Sequence, residues 1–226
     1  MDFLFQTRWT AEHKQARNVG ATVLHIAIVL ALSVAALGAW YPVLAALAGA
    51  YLLIDLAITF APKDRLWPFL TDQTAHLATI LAAALFTPAL WVTGRWADQG
   101  WMPGAMAALA GVILATRTGG FAVGLLTKPY SVDDLPQGLV NGGALIGVPE
   151  RGLIFLFVMV GQPASIGSLV AAKSVLRFES TARDQRASEY VIIGTLGSFA
   201  WAMAAAWATP ALLRVPPAIG IPIVSP

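Results

Sequence analysis

The chain contains no cysteine and few charged residues for its length. Of its 226 residues, 12% are Asp, Glu, Lys or Arg and 58% are hydrophobic. The missing cysteine excludes disulfides, thiolate metal sites and a cysteine nucleophile. A water-soluble domain carries about 25% charged residues, so this chain lacks the polar surface that such a domain needs. The mean hydropathy of +0.71 agrees with that deficit.

Long apolar runs are what the sequence has instead. They predict an all-α, polytopic transmembrane helix bundle of about seven membrane segments, within a range of six to eight, because a crossing helix needs about 20 apolar residues. The clearest predicted spans are residues 19–40, 42–61, 67–91, 102–126 (interrupted at 117–120) and 190–213. The region 138–173 fits either two short spans or re-entrant pieces, or one kinked span after an interfacial helix, and Pro163 marks a break there.

The ends and the charges complete the predicted organisation. Residues 1–226 are expected to form a single integral membrane domain, with a polar N-terminal segment (1–18) and a proline-rich tail (214–226). The first 18 residues lack the pattern of a signal peptide. With a cytoplasmic N-terminus, seven crossings leave outside only Arg95 and Arg214. They place inside the cell the remaining basic residues at span ends: Arg8, Lys14, Arg17, Lys63, Arg65, Lys128, Arg177, Arg183 and Arg186.

Four polar residues lie inside the first three predicted spans: His25, Asp55, Asp72 and His76. Asp72 and His76 are four residues apart, so they share one helical face. Two carboxylates and two imidazoles are a donor set for a divalent metal ion, and imidazole also exchanges protons near neutral pH. A third interpretation is ordinary hydrogen bonding between helices. Gln73 stands beside this group.

A second polar group follows in the C-terminal half: Glu150, Arg151, Gln162, Lys173, Arg177 and Glu189. Gln162 stands at the Gly-Pro break, where freed backbone groups and a side-chain amide can line a cavity. The group therefore indicates an anionic-ligand or ion site at a broken helix. The alternative is an internal Glu–Lys or Glu–Arg pair that holds the bundle together, with Arg177 as a cytoplasmic topology charge.

Six segments carry a resemblance to a known family. They are DFLFQT (2–7), IDLAITFAP (54–62), DQTAHL (72–77), GGALIGVPERGLIF (142–155), GQPASIGSLVAAKSVLRF (161–178) and EYVIIGTLGSF (189–199). In these segments the chain resembles the bacterial multi-pass membrane proteins grouped as domain of unknown function 3307. The resemblance implies a bacterial inner (cytoplasmic) membrane protein and draws attention to the polar residues named above, together with Asp2 and Gln6. It implies no activity.

The chain departs from the pattern of that family at three places. A hydrophobic segment with a histidine is expected just before DFLFQT, whereas this chain starts at Met1. A histidine is expected one turn before Asp55, where this chain has Tyr51, and a lysine one turn after it, where this chain has Ile58. Both departures weaken a metal-site or ion-pair interpretation around Asp55.

Three functions remain open from the sequence. The first is an inner-membrane protein that moves or senses an ion or small solute, and the second is a membrane-embedded metal-dependent hydrolase with a divalent metal as cofactor. The third is a membrane scaffold or assembly protein. The lipid bilayer is the expected partner, and a protein partner or a homo-oligomer is possible. No nucleic-acid partner is expected, because the basic residues stand at span ends. Motifs for a phosphate-binding loop, a zinc protease or a serine hydrolase are missing.

Overall fold

The structure is a computed structural model that describes residues 19–62, 64–130, 142–181 and 185–213. All regular secondary structure within these ranges is helical, and no strand occurs in them. The predicted all-α class is therefore confirmed. The predicted polar N-terminal segment (1–18) and proline-rich tail (214–226) lie outside the described residues.

Seven long helical segments follow one another within the described ranges. In order, they are α1 (Val19–Leu37), α2 (Pro42–Ile58), α3 (Leu66–Phe86), a continuous segment of α4 (Met102–Ile113), a π-helical turn (Leu114–Thr118) and α5 (Gly119–Thr127), then α6 (Gly142–Met159), α7 (Ser165–Thr181) and α8 (Gln185–Leu213). Short 3-10 turns occur at Pro88–Leu90 and Lys128–Tyr130.

Four of these segments are long and apolar enough to cross a membrane. They are Leu66–Phe86, Met102–Tyr130, Gly142–Met159 and Ser188–Leu212. Thr22–Leu37, Pro42–Ile58 and Ser165–Val175 are apolar but shorter. The number of crossings, about seven, stays a prediction.

Two of the predicted segments differ from the observed helices. The interruption predicted at residues 117–120 takes the form of the π-helical turn at 114–118, after which the chain continues directly into α5. The third helix ends at Phe86, short of the predicted residue 91. Thr87 is not helical, with φ −133°. It precedes Pro88, whose ring disfavours a helical conformation in the residue before it.

The ambiguous region 138–173 contains two helices, α6 and α7. Gly161, just beyond the end of α6, has φ +71°, a left-handed conformation that ends many helices and favours glycine. Pro163 lies in the turn that leads into α7. The break that the sequence indicated is therefore a turn between two helices.

The chain divides into two compact units. The first comprises residues 1–106 with 213–226, and the second comprises residues 107–212. The first unit therefore contains α1, α2 and α3, and the second contains α6, α7 and most of α8. The expected single membrane domain (1–226) stays a prediction.

In the first unit, the turn between α1 and α2 packs closely against residues 94–96. Gly38 has φ +67°, and a Cβ atom there would lie 2.5 Å from the Cβ of Arg95, so only glycine fits. The indole Nε1 of Trp96 donates a hydrogen bond to the carbonyl of Ala35 at 3.0 Å. These contacts fix one end of the α1–α2 hairpin.

In the second unit, the buried core combines aromatic side chains with alanines of α8. Phe155 packs with Ala115, Ala205 and Ala206. Phe199 packs in a second cluster with Ile154, Ile166 and Ala202. Small residues let the helix backbones approach closely, as in helix packing within membranes.

Candidate metal centre

The four polar residues that the sequence singled out in the first three spans converge in the first unit. His25 Nε2 lies 3.8 Å from Asp55 Oδ2, and His76 Nε2 lies 4.0 Å from Asp55 Oδ1. His76 Nδ1 lies 3.5 Å from Asp72 Oδ1. The order in space is therefore imidazole, carboxylate, imidazole, carboxylate, contributed by α1, α2 and α3.

The cluster is buried. The side chains of His25 and His76 are each 7% exposed, that of Asp55 is 9% exposed, and that of Asp72 is 20% exposed. Ionised carboxylates in such surroundings cost several kcal/mol unless a counter-charge or a polar cavity compensates them. A proton or a cation shared with the two imidazoles is one form that such compensation can take.

His76 carries the clearest sign of an additional ligand. Both of its ring nitrogens are buried and make no hydrogen bond within the part of the chain that the structure describes. Buried polar atoms are normally satisfied. The gaps of 3.5 and 4.0 Å to the carboxylates exceed hydrogen-bond length. An ion or a water beside one nitrogen would satisfy that atom, and the other ring nitrogen could then donate its N–H to a carboxylate.

The donor atoms are spaced for a metal ion. Asp55, Asp72 and His76 each offer one ligand atom, and these three atoms lie within 4.8 Å of one another. Two ligands on opposite sides of an ion at about 2.4 Å are about 4.8 Å apart, and neighbouring ligands at about 2.1 Å are about 3.0–3.4 Å apart. His25 stands beside this group as a further donor.

Two neighbours orient the cluster. The side-chain amide of Gln73 donates a hydrogen bond to Asp72 Oδ2 at 2.9 Å, which leaves Oδ1 for the cluster. The ring of Tyr51 lies against that of His76, with ring centroids 4.1 Å apart. Hydrogen bonds to a ligating carboxylate tune and orient it. Gln73 is thus placed to orient Asp72, and Tyr51 is placed to orient the ring of His76.

The donor set narrows the choice of ion. Imidazole suits zinc, iron, copper and nickel, while carboxylate suits magnesium, calcium and manganese. A mixture of two imidazoles and two carboxylates, without any thiolate, therefore fits zinc, manganese or ferrous iron. Such an ion could be bound as cargo or as a cofactor that polarises a bound water.

The residues of the second polar group do not form one site but lie at separate positions within the second unit. Lys173 Nζ in α7 donates to Glu150 Oε2 in α6 at 2.7 Å, and both side chains are largely buried. The ammonium group also lies 5.2 Å from the centre of the Phe199 ring. This is the internal Glu–Lys pair that the sequence offered as the alternative to a ligand site.

Arg151 points away from that pair. Its Nε donates to the carbonyl of Thr116 at 3.1 Å and its Nη1 donates to Ser198 Oγ at 3.0 Å. The carbonyl of Thr116 belongs to the π-helical turn, where irregular backbone bonding leaves carbonyl groups open to other donors. The indole of Trp201 donates to the carbonyl of Leu114 in the same turn. Arg151 therefore holds α6, the π-helical turn and α8 together.

The remaining predicted residues are not part of either arrangement. Gln162 is exposed in the turn between α6 and α7. Glu189 is exposed and accepts a hydrogen bond from Gln185 within α8. The side chain of Arg177 lies outside the described residues. The structure thus brings together Glu150 and Lys173, and it separates them from Gln162.

Sequence reasoning missed the partners of Arg151 and the contact of Tyr51. An arginine in an apolar span requires hydrogen-bond acceptors, but the neighbouring spans offer many hydroxyl and carbonyl groups. Thr116 and Ser198 had no signal that set them apart. Tyr51 had one, because it stands one turn from Asp55 and therefore on the same helical face.

The described parts of the chain form an all-helical protein with a buried His/Asp cluster. Residues 1–96 match the family described as "Protein of unknown function (DUF3307)", which confirms the resemblance over that part of the chain. The match includes the first three of the six segments noted in the sequence and all four cluster residues. The last three segments lie beyond it, so the resemblance there stays a prediction. No curated protein and no solved structure matches the chain.

Proposed function

We propose that this chain is a multi-pass membrane protein that binds one divalent transition-metal ion through His25, Asp55, Asp72 and His76. The observation that carries the metal site is His76, whose two buried nitrogens face two carboxylates without a hydrogen bond in the described part of the chain. A cation beside the carboxylates would take one nitrogen of this imidazole as a ligand, and the other ring nitrogen would be left as an N–H donor to a carboxylate.

The membrane location is supported by apolar side chains exposed along α3. Leu77, Leu81 and Leu85, spaced four residues apart, are 58%, 48% and 53% exposed, and only 6% of this candidate span is buried. A continuous apolar face of this kind is typical of contact with lipid. The four candidate spans have 18 to 29 residues and so exceed the minimum of about 17 for one crossing. The apolar parts of α1, α2 and α7 have 10–17 residues.

The proposed membrane is the bacterial inner membrane, with the N-terminus in the cytoplasm. It rests on the distribution of basic residues, because cytoplasmic loops carry the excess of lysine and arginine. Seven crossings, one per helical segment, belong to the same proposal.

Metal content tests the proposed site directly. Detergent-purified protein is incubated with zinc, manganese or ferrous iron, dialysed and analysed by elemental mass spectrometry. About one equivalent is expected in the wild type, and at most about a tenth of that in Asp72→Asn and His76→Ala, because loss of a ligand typically removes most affinity. Asp98→Asn, a change of an exposed aspartate, serves as the matched control.

Loss of metal binding in a variant must be distinguished from misfolding of that variant. Each variant is first checked by gel filtration and by thermal unfolding followed through tryptophan fluorescence. A wild type that retains no ion at saturating metal would overturn the proposal, and so would a normal metal content in both ligand variants.

A metal-dependent hydrolase is the second candidate, and one observation favours it. A cavity of about 360 Å³ shares His76 with the cluster, which gives a substrate room beside the ion. Ion-dependent release of product from ester or phosphoester substrates, abolished by Asp72→Asn, would support this role. Movement of an ion or solute and a scaffold function stay predictions. The ion site that the sequence indicated around Glu150 and Lys173 loses part of its support, because these two side chains pair with each other.

A further inference from the structure

The cavity beside the cluster has two chemically different ends. Eleven of its fifteen lining residues are aliphatic, and the four polar ones are Ser33, Tyr51, Gln73 and His76. Three of those four adjoin the His/Asp cluster. The hydroxyl of Ser33 is already donated to the carbonyl of Val29 at 2.8 Å. The polar groups that a ligand would meet are therefore concentrated at the cluster end.

The cavity and the cluster form one continuous surface within the first unit. One turn after His25 in α1 comes Val29, which lines the cavity. One turn before Asp55 in α2 comes Tyr51, and His76 in α3 belongs to both. Residues four apart on a helix share a face, so the faces that carry the cluster continue along all three helices as the walls of the cavity.

The opposite end is aliphatic and lies near the α1–α2 turn. Leu37, Val43 and Leu90 line it. From His76 to Ala84, both of which line the cavity, α3 rises about 12 Å. The cavity thus offers an elongated apolar path that begins at the cluster. A compact polar substrate would leave most of that path unfilled.

We propose that the cavity binds the aliphatic chain of an amphiphile whose anionic phosphate head group reaches the ion in the cluster. The proposal rests on the proposed metal site, since the ion would take an oxygen atom of the head group as a further ligand. Lipid chains surround a membrane protein everywhere and are as apolar as the cavity. The site would therefore distinguish its ligand from other lipids by two features together: a head-group oxygen that binds the ion and an aliphatic chain that lies along α3.

Binding of alkyl phosphates tests this combination. Metal-loaded protein in a non-ionic detergent is titrated with decyl phosphate, ethyl phosphate or inorganic phosphate, and bound ligand is counted by native mass spectrometry. We expect one decyl phosphate per chain, bound at least about tenfold more tightly than ethyl phosphate, and no such binding in Asp72→Asn. Equal binding of all three phosphates would show a site for free anions and overturn the proposal.

Variants that fill the cavity locate the chain. Ala84→Trp places a large ring in the cavity, and Ser33→Phe does so from the facing wall of α1. Ala78→Trp is the matched control, because Ala78 is exposed on α3 and does not line the cavity. Binding of decyl phosphate should fall at least about tenfold in the cavity variants, with unchanged metal content, and persist in the control. Unchanged binding in both cavity variants would place the chain elsewhere and overturn the proposal.

Failure of the metal site would be visible separately. If the wild type holds no ion, the proposed function fails on the metal measurement alone. Metal-free binding of decyl phosphate that Ala84→Trp abolishes would then still support the chain site. Absence of both signals would overturn the chain site as well.

Discussion

The ammonium group of Lys173 in α7 lies 2.7 Å from Glu150 Oε2 in α6 and over the ring of Phe199 in α8. The pair is largely shielded, with the side chains of Lys173 and Glu150 15% and 12% exposed. Removing one partner of such a pair leaves an uncompensated charge, whereas replacing both removes the cost for each. The pair therefore ties three helices of the second unit together.

Removing one member of this pair should destabilise the second unit, whereas removing both members together should cost little stability. We expect Lys173→Met to lower the free energy of unfolding by about 3–5 kcal/mol. The double variant Glu150→Gln/Lys173→Met should regain most of that loss. Thermal unfolding in detergent, followed through the fluorescence of the eight tryptophans, measures both. Lys128→Met, at an exposed lysine, is the control. A change within about 0.5 kcal/mol in Lys173→Met would contradict the expectation.

The hydrogen bond from Gln73 to Asp72 predicts an indirect effect on metal affinity. Gln73→Leu removes the donor that holds Asp72 Oδ2 and leaves the four ligand residues in place. We expect the affinity for the ion to fall about 10- to 100-fold, while one equivalent still binds at saturation. A competitive chelator titration measures this change. Gln162→Leu, in the exposed turn, should leave the affinity unaltered, and an equal loss in both variants would count against the expected role.

Tyr51 offers a gain-of-affinity test. Because its ring contacts that of His76 at 4.1 Å between centroids, Tyr51→His would place a third imidazole beside the cluster. We expect the affinity for zinc to rise at least about tenfold, whereas Tyr51→Phe should change it little. The chelator titration again provides the readout. No gain in a well-folded Tyr51→His protein would show that position 51 cannot reach the ion.

Arg151 requires glycine around its guanidinium group. A Cβ atom at Gly147 would lie 2.9 Å from Arg151 Nη1, whereas a Cβ atom at Gly143, also in α6, would meet nothing within 4 Å. We therefore expect Gly147→Ala to destabilise the protein by about 1–3 kcal/mol through overpacking. Gly143→Ala should be neutral or stabilising, because alanine favours the helix. Thermal unfolding compares the two, and equal stabilities would contradict the packing seen around Arg151.

The absence of cysteine makes the membrane topology testable. Single cysteines at the exposed positions Asp64 and Asp98 flank the candidate span Leu66–Phe86. If this helix crosses the bilayer, a membrane-impermeant maleimide applied to intact spheroplasts should label Asp98→Cys but not Asp64→Cys. Both positions should react after permeabilisation. Labelling of both in intact spheroplasts would exclude the crossing.

Much of the helical organisation could be predicted from sequence, and the particular exceptions have local causes. α2 begins at the predicted residue 42, because Pro42 favours the first turn of a helix. The interruption predicted at residues 117–120 is a π-helical turn over residues 114–118 and not a loop. There, Gly119 and Gly120 lie against Arg151 within a continuous helical segment. Glycine pairs indicate a loop or a close packing contact equally well, and only the packing partner distinguishes them.

The sequence by itself determined which residues form helices and which polar side chains lie within apolar segments. It also placed Asp72 and His76 on one face, because the helical repeat decides that locally. Only the tertiary structure decided that Asp55 stands between His25 and His76, and that Arg151 binds Ser198 rather than an acidic residue. The rotation of each helix about its axis follows from packing against its neighbours, and a single sequence does not contain that information in any local pattern.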